Sequence, residues 1–565
     1  MNRRQFMTGT GALIGLGLFG PISRSSATGR AFDLLIRGAH VLDGSGEPGL
    51  TADLGVIGDR IAAVGKLTEA KAYRVIAADG LAVAPGFIDI HSHSEDELLV
   101  NPRAESKIRQ GVTTEILGQD GASIAPLTPE MQAALGDSYQ RTYGISVEWL
   151  DFEGYFKKLQ KQGVAVNVGT MLGQGTLREF VAGRADRPAT LSEINQMKSL
   201  VAQALKDGAL GVSSGLEYPP GAFASSEELI EICKVMHFST GLYATHMRNE
   251  ADFVLEALDE AIAVAKGADV ALHISHLKCM GKRNWSKLET VFENIQQARA
   301  RGLSITMDRY PYTAYNTSLS SLFPIWARSG SQKDFLARLQ DPAVLPRIRQ
   351  ETLDKVKMIG SWQAVMITSV ELDKNKHLEG RRVPQVVGNN GADEFEFVRH
   401  LILAENNSID MCGFAMSEEN TARILTHPLC IVASDASARA TYGPLSQSTP
   451  HPRTYGTFPR VLGKYVREQR TLALPEAIRK MSALPARRLG LRNRGLIRKD
   501  YFADLVLFDP EKVADKATFT APHQYPQGID YVFVNGVAVI DQGEHTGILP
   551  GRILKRIPTL LPTRY

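Results

Sequence analysis

Two histidines with one residue between them close the stretch Pro85-Gly-Phe-Ile-Asp-Ile-His-Ser-His93, directly after a short apolar run from Leu81 to Ile90. Residues i and i+2 of a strand point the same way. His91 and His93 therefore aim their imidazoles at one point, just past the carboxyl end of a strand. Converging neutral imidazoles suit a transition metal. An H-x-H pair alone reads equally well as two surface histidines; Asp89 before it and the partners further along the chain favour the metal. His246 ends the apolar run Leu242-Tyr-Ala-Thr-His246, and His276 ends the run from Val270 within Ile274-Ser-His-Leu-Lys278. Asp435 lies in Ala433-Ser-Asp-Ala, and Asp120 in Gly118-Gln-Asp-Gly121. These groups compose a two-metal site, with His91, His93 and Asp435 on one side, His246 and His276 on the other, and Asp120 bridging.

Such a site needs strands that deliver their carboxyl ends to one place. Between residues 85 and 499 the pattern is strand–helix alternation. Thr190-x-x-Glu193 and Ser225-x-x-Glu228 read as capping boxes that open helices, and Leu191, Ile194, Met197, Val201 and Leu205 recur at helical spacing. Eight strands are expected, near 84–90, 113–117, 164–169, 210–214, 242–245, 270–275, 303–307 and 429–434. Eight βα units imply a (β/α)8 TIM-like barrel, whose active sites lie at the carboxyl ends of the strands. The stretch after the seventh strand, about 316–428, is too long for one βα connection and is expected to be an insertion folded over the site. Short strands separated by turn residues fill 32–84 and return over 500–550; both ends are expected to build one small β-sandwich domain.

With 565 residues the chain exceeds a single compact core. Residues 1–27 read as a twin-arginine signal peptide: Asn2-Arg3-Arg4-Gln5-Phe6-Met7, a soft apolar run to Gly20, then Pro21 and the small residues Ser25-Ser26-Ala27. The expected location is periplasmic. That segment holds three of the 64 basic residues and no acid, so the remainder carries 61 basic and 61 acidic side chains. A neutral balance gives no reason to invoke nucleic acid or a membrane surface as partner. Cys233, Cys279, Cys412 and Cys430 form no C-x-x-C pair, which argues against a disulfide framework or a cysteine-rich zinc site. Oligomeric state is not encoded in any pattern here.

The runs Pro-Gly-Phe-Ile-Asp-x-His-x-His, Gly111-Val-Thr-Thr-Glu-Ile-Leu-Gly, Ser214-Gly-Leu-Glu-Tyr-Pro-Pro-Gly, Thr245-His-Met-Arg, Ile274-Ser-His-Leu-Lys and Asp308-Arg-Tyr-Pro-Tyr resemble the amidohydrolase superfamily. With His451-Pro-Arg-Thr-Tyr-Gly-Thr-Phe-Pro-Arg460, the chain is similar to N-acyl-D-amino-acid deacylases (D-aminoacylases) over roughly residues 32 to 550. The resemblance implies zinc, one or two ions per chain, held by His246 and His276, with His91 and His93 at a second, often weaker site. It implies Asp435 as general acid and base, Lys278, Tyr310 and Arg453 as grips on the substrate α-carboxylate, and hydrolysis of N-acyl-D-amino acids to a carboxylate and a free D-amino acid. Arg248, two residues after His246, is expected either as a further cation near the substrate or as a residue that holds the structure. In one respect the chain departs from the pattern: D-aminoacylases carry cysteine where Asp120 stands. A carboxylate able to bridge through both oxygens favours two occupied metals. Another amide hydrolase of this superfamily, acting on dipeptides or cyclic amides, and a non-catalytic barrel scaffold are the alternatives; Arg453 and Lys278 favour acyclic substrates with a free carboxylate.

Overall fold

The computed structural model describes residues 31–237, 241–388 and 393–556. The expected signal peptide, residues 1–27, lies outside them. Eight parallel strands form the centre: β1 (Phe87–Asp89), β2 (Val112–Leu117), β3 (Asn167–Thr170), β4 (Gly211–Gly215), β5 (Leu242–His246), β6 (Ala271–Ile274), β7 (Ile305–Arg309) and β8 (Cys430–Val432). They hydrogen-bond as two parallel sheets. One holds β1, β2 and β3; the other runs from β8 through β7, β6, β5 and β4 to a two-residue strand, Leu172–Gly173. The sheets are stitched together at both ends. Leu210 N donates to Thr170 O at 2.8 Å on one side, and Asp435 N donates to His91 O at 2.9 Å on the other.

The strands are buried on both faces, as parallel strands covered by helices must be. Every residue of β2, β4, β5 and β7 is buried, and helices Leu191–Asp207, Ser226–Lys234, Val254–Ala268 and Leu288–Ala300 follow successive strands. The Thr190 capping box forms with both its bonds. At Ser225 only half of the expected box is made: its side chain accepts from Glu228 N, while the Glu228 carboxylate is drawn to the buried Arg178 guanidinium. A buried ion pair outcompetes a reciprocal bond to one backbone N–H.

Strands from both ends of the chain pair into one nine-stranded sheet, joined where Ala82–Pro85 runs antiparallel to Leu505–Phe508. After β7 the chain leaves the parallel strands. Tyr315–Ser318, Val365–Ser369 and Asp410–Gly413 form an antiparallel sheet, and this module buries its own core around Phe323, Phe335, Trp362 and Phe395. All four cysteines are free and buried. Among the described residues, no helix is long and apolar enough to cross a membrane.

Candidate metal centre

The carboxyl ends of the parallel strands open into a cavity of about 450 Å³, lined by His93, Asp120, His246, His276 and Asp435 among others. Asp120 is its hub. Its Oδ2 lies 3.4 Å from His91 Nε2, 3.7 Å from His93 Nε2, 3.7 Å from His246 Nδ1 and 3.4 Å from His276 Nε2. Asp435 Oδ1 lies 3.2 Å from His93 Nε2 and 3.6 Å from His91 Nε2. Two clusters of possible metal ligands therefore share one carboxylate: His91, His93, Asp120 and Asp435, and Asp120, His246 and His276.

Local backbone makes this convergence possible. Asp120, His276 and Asp435 all have positive φ, at 52°, 33° and 50°, a region sparsely populated by non-glycine residues and frequent at functional sites. Each lies two or three residues beyond the end of a parallel strand. The turn bearing Asp120 is pinned by flanking glycines: a Cβ on Gly118 would stand 2.0 Å from Met171 O, and one on Gly121 2.5 Å from Gly215 N.

Charged groups hold three of the four imidazoles from behind. His91 Nδ1 is 3.2 Å from Asp308 Oδ2. His276 Nδ1 is 3.0 Å from Glu250 Oε1, which also accepts from Lys278 Nζ at 2.6 Å. His246 Nε2 is 3.3 Å from Glu217 Oε2. Carboxylates behind metal-binding histidines fix the tautomer and raise ligand basicity. Beneath the site, fully buried Lys107 donates to Asp89 Oδ2 (2.7 Å), Ser434 Oγ (2.9 Å) and Ala436 O (2.7 Å). It ties the segment bearing His91 to the segment bearing Asp435.

The field is strongly asymmetric. Burial opposes protonation of His91, His93 and His246, yet the surrounding carboxylates prevail. His91 is raised well above its ordinary value, His93 to about 9 and His246 to about 10. Burial likewise disfavours the charged form of Asp120, but His91 and His276 hold it well below the usual carboxylate range. The cluster demands positive charge. Its central atoms also lack partners: His91 Nε2, His246 Nδ1 and Asp120 Oδ1 are buried and accept or donate no hydrogen bond. Buried polar atoms are normally satisfied, and nitrogen and carboxylate donors of this kind fit zinc.

The chain matches the model of the amidohydrolase family over residues 74–309 and 420–540. The chain belongs to the amidohydrolase family. The unmatched gap in this amidohydrolase corresponds to the inserted module after β7. A D-aminoacylase of Alcaligenes xylosoxydans xylosoxydans is 37% identical over 532 residues, covering 94% of this chain and 99% of that protein. A solved D-aminoacylase structure, described as having a binuclear metal centre, is 36% identical with a TM-score of 0.78, covering 93% of this chain and 100% of that one. The N-acyl-D-glutamate deacylase of Bordetella bronchiseptica, solved with zinc and a phosphonate mimic of the tetrahedral intermediate, is 34% identical with a TM-score of 0.79 and the same coverage. This amidohydrolase has the fold of those D-aminoacylase structures, and its His/Asp clusters form a metal-binding group of the kind those structures fill.

The remaining residues singled out in the sequence fall in different places. Lys278, Tyr310 and Arg453 line the cavity of the amidohydrolase. Arg453 Nη1 donates to Asp435 Oδ2 at 2.6 Å, and its guanidinium lies 4.6 Å from the centre of the Tyr310 ring. The Tyr310 hydroxyl is buried without a partner. Arg248, expected near the substrate or in a structural role, is turned away from the cavity. Its guanidinium donates to Glu260 Oε1 and Oε2 at 2.9 and 2.8 Å and to the carbonyls of Ala222 and Ala224 at 2.7 and 2.9 Å. Those partners use its donors to tie the loop after β4 to the helix Val254–Ala268. Glu217, Glu250, Asp308 and Lys107 were not singled out by sequence reasoning. Glu217 and Asp308 sit inside quoted motifs, and Glu250 stands four residues beyond His246, but an acid near a strand end carries no mark of which histidine it supports.

Proposed function

We propose that this amidohydrolase hydrolyses the amide bond of N-acyl-D-amino acids, releasing a carboxylate and a free D-amino acid. The observation that carries the proposal is the pair of ligand clusters sharing Asp120, set in a cavity whose wall also bears Arg453, Lys278 and Tyr310. Zinc held by His91, His93, Asp120, His246, His276 and Asp435 would supply an acidified water and polarise the acyl carbonyl. Asp120, which faces all four imidazoles, would be shared by the two ligand groups, and its charge would offset part of the repulsion between two cations held there. Preference for the D configuration rests on the activities named for the two deacylase relatives.

Asp435 is the general base and acid in this reading. Oδ1 faces the histidines and Oδ2 faces Arg453. Burial raises its pKa, but Arg453 and His91 outweigh burial and hold the carboxylate well below its usual range. Paired in this way Asp435 is a weak proton acceptor. An incoming substrate α-carboxylate competes for the Arg453 fork, which favours bidentate carboxylates. As Arg453 shifts toward substrate, Asp435 gains basicity at the moment it has work: it takes the water proton and returns it to the leaving amine nitrogen. Lys278 and the unpartnered Tyr310 hydroxyl add donors for the same carboxylate.

The eight strands are read as a closed (β/α)8 barrel, supported by the hydrogen bonds at both sheet junctions and by Lys107 across β1 and β8. The terminal sheet is read as a sandwich curled over one core, since Leu34, Ile36 and Leu54 share a buried cluster with Leu505, Leu507 and Phe533. Residues 1–27 are read as a twin-arginine export signal to the periplasm; replacing Arg3 and Arg4 with Lys should retain the protein in the cytoplasm. The activity is tested with a panel of N-acetyl-D- and N-acetyl-L-amino acids, assayed for released amine with and without chelator. Zinc-dependent release from D substrates is expected; release from neither enantiomer, or from L alone, would overturn it.

A further inference from the structure

Of the four imidazoles, His246 faces a carboxylate that a lysine of the inserted module holds. Its Nδ1 faces Asp120 and has no hydrogen-bond partner, while its Nε2 faces Glu217 Oε2 at 3.3 Å. Glu217 stands on the loop after β4, and its other oxygen, Oε1, accepts from Lys355 Nζ at 2.5 Å. Lys355 belongs to the helix Leu345–Ile359 of the inserted module. Two further residues of that module reach the same loop. Arg328 Nη2 donates to the Glu217 carbonyl at 3.3 Å, and Thr317 Oγ1 donates to the Tyr218 hydroxyl at 3.4 Å. The Tyr218 ring in turn packs edge-on against the His246 ring, with centroids 4.9 Å apart.

We infer that Glu217 and Lys355 are positioning residues through which the inserted module holds His246 in its metal-binding orientation. The inference rests on the metal site described above. An Nε2–H donated to Glu217 leaves the Nδ1 lone pair pointing at Asp120. Lys355 anchors the carboxylate oxygen that His246 does not use, so Glu217 cannot swing away without breaking a charge-assisted bond. At His276 the ionic partners are local and arranged differently: Glu250 Oε1 faces Nδ1 and accepts from Lys278, whose Nζ also lies 2.7 Å from Nδ1, and both residues lie within the loops that follow β5 and β6. Only at His246 does the anchoring cation come from the module after β7. Docking of that module and occupancy of the His246 position are thereby linked, so the module contributes to metal retention as well as covering the site.

Removing a carboxylate or its anchor behind a metal-binding histidine typically costs on the order of 10–100-fold in metal affinity. Zinc affinity of the full-length protein is measured by chelator competition for the wild type, Glu217→Gln, Lys355→Met and Lys355→Arg, with thermal midpoints of the metal-free proteins alongside. Glu217→Gln preserves size, so it keeps the test valid if Lys355→Met fails to fold. Weaker zinc binding of about that size in Glu217→Gln and Lys355→Met, recovered in Lys355→Arg, is expected, together with an altered cobalt(II) absorption spectrum in the first two. Wild-type zinc affinity and spectra in both Glu217→Gln and Lys355→Met, whatever their thermal midpoints, would overturn the inference. A wild type that binds no zinc would overturn the metal site itself and this linkage with it.

Discussion

The two histidine pairs of the cluster are built differently. His91 and His93 come from one tripeptide at the end of one strand, and their support is internal: Asp308 behind His91, and Lys107 joining Asp89 to Ser434 beneath. His246 and His276 come from separate strands, and carboxylate–lysine pairs support both. The strand geometry places the first pair, whereas ionic pairs aim the second. Within the first pair a further contrast appears. The His91 side chain is fully buried, while 30% of the His93 side chain is exposed, so His93 is the one of the two that opens onto the cavity.

The largest effect is expected where the first side meets the chemistry. Asp435→Asn should keep the fold and lose about 10²–10⁴-fold in turnover, the usual worth of a positioned proton acceptor. Near-wild-type turnover of a D substrate would remove Asp435 from that role. Next, Arg453→Met should impair N-acyl amino acids by roughly 1.5–3 kcal/mol, the scale of a charge-assisted hydrogen bond, and the matching N-acyl amino amides far less. Equal losses on both would show that Arg453 only steadies Asp435.

A smaller effect sharpens the comparison through pH. In the metal-free cluster His93, at about 9, and His246, at about 10, hold protons at pH 7. Zinc needs their lone pairs, so its uptake at pH 7 should release protons and tighten as pH rises. Calorimetry in buffers of different ionisation enthalpy measures that release; none at pH 7 would contradict the electrostatics. Stability has the opposite sign. A histidine raised in the folded state contributes stability that is complete below the unfolded value of about 6.5 and lost as pH climbs through the folded one. The metal-free protein should therefore lose thermal stability between pH 7 and 10 as these contributions fade, and zinc should suppress that loss.

The same contrast explains what the sequence discloses. The H-x-H pair, the strand-end histidines and the alternating strands and helices were legible because they depend on local period and on one residue type. The module after β7 was legible only as excess length. The supports were not. Glu217 meets Lys355 across 138 residues, and Asp89 meets Ser434 across 345, so no spacing rule connects them. Arg248 shows the limit from the other side: two residues after His246 it suits a cation at the substrate as well as a structural tie, and Glu260 and two carbonyls claim its guanidinium.

The central claim is that Asp120 joins the two sides into one two-ion centre. A bridging carboxylate offsets part of the repulsion between two dications ~3.5–4 Å apart. Elemental analysis of the wild type and of Asp120→Ala after exhaustive dialysis tests this directly. The account predicts two zinc ions per chain in the wild type, falling toward one in Asp120→Ala with loss of activity. One zinc per chain in the wild type, unchanged in Asp120→Ala, would contradict it.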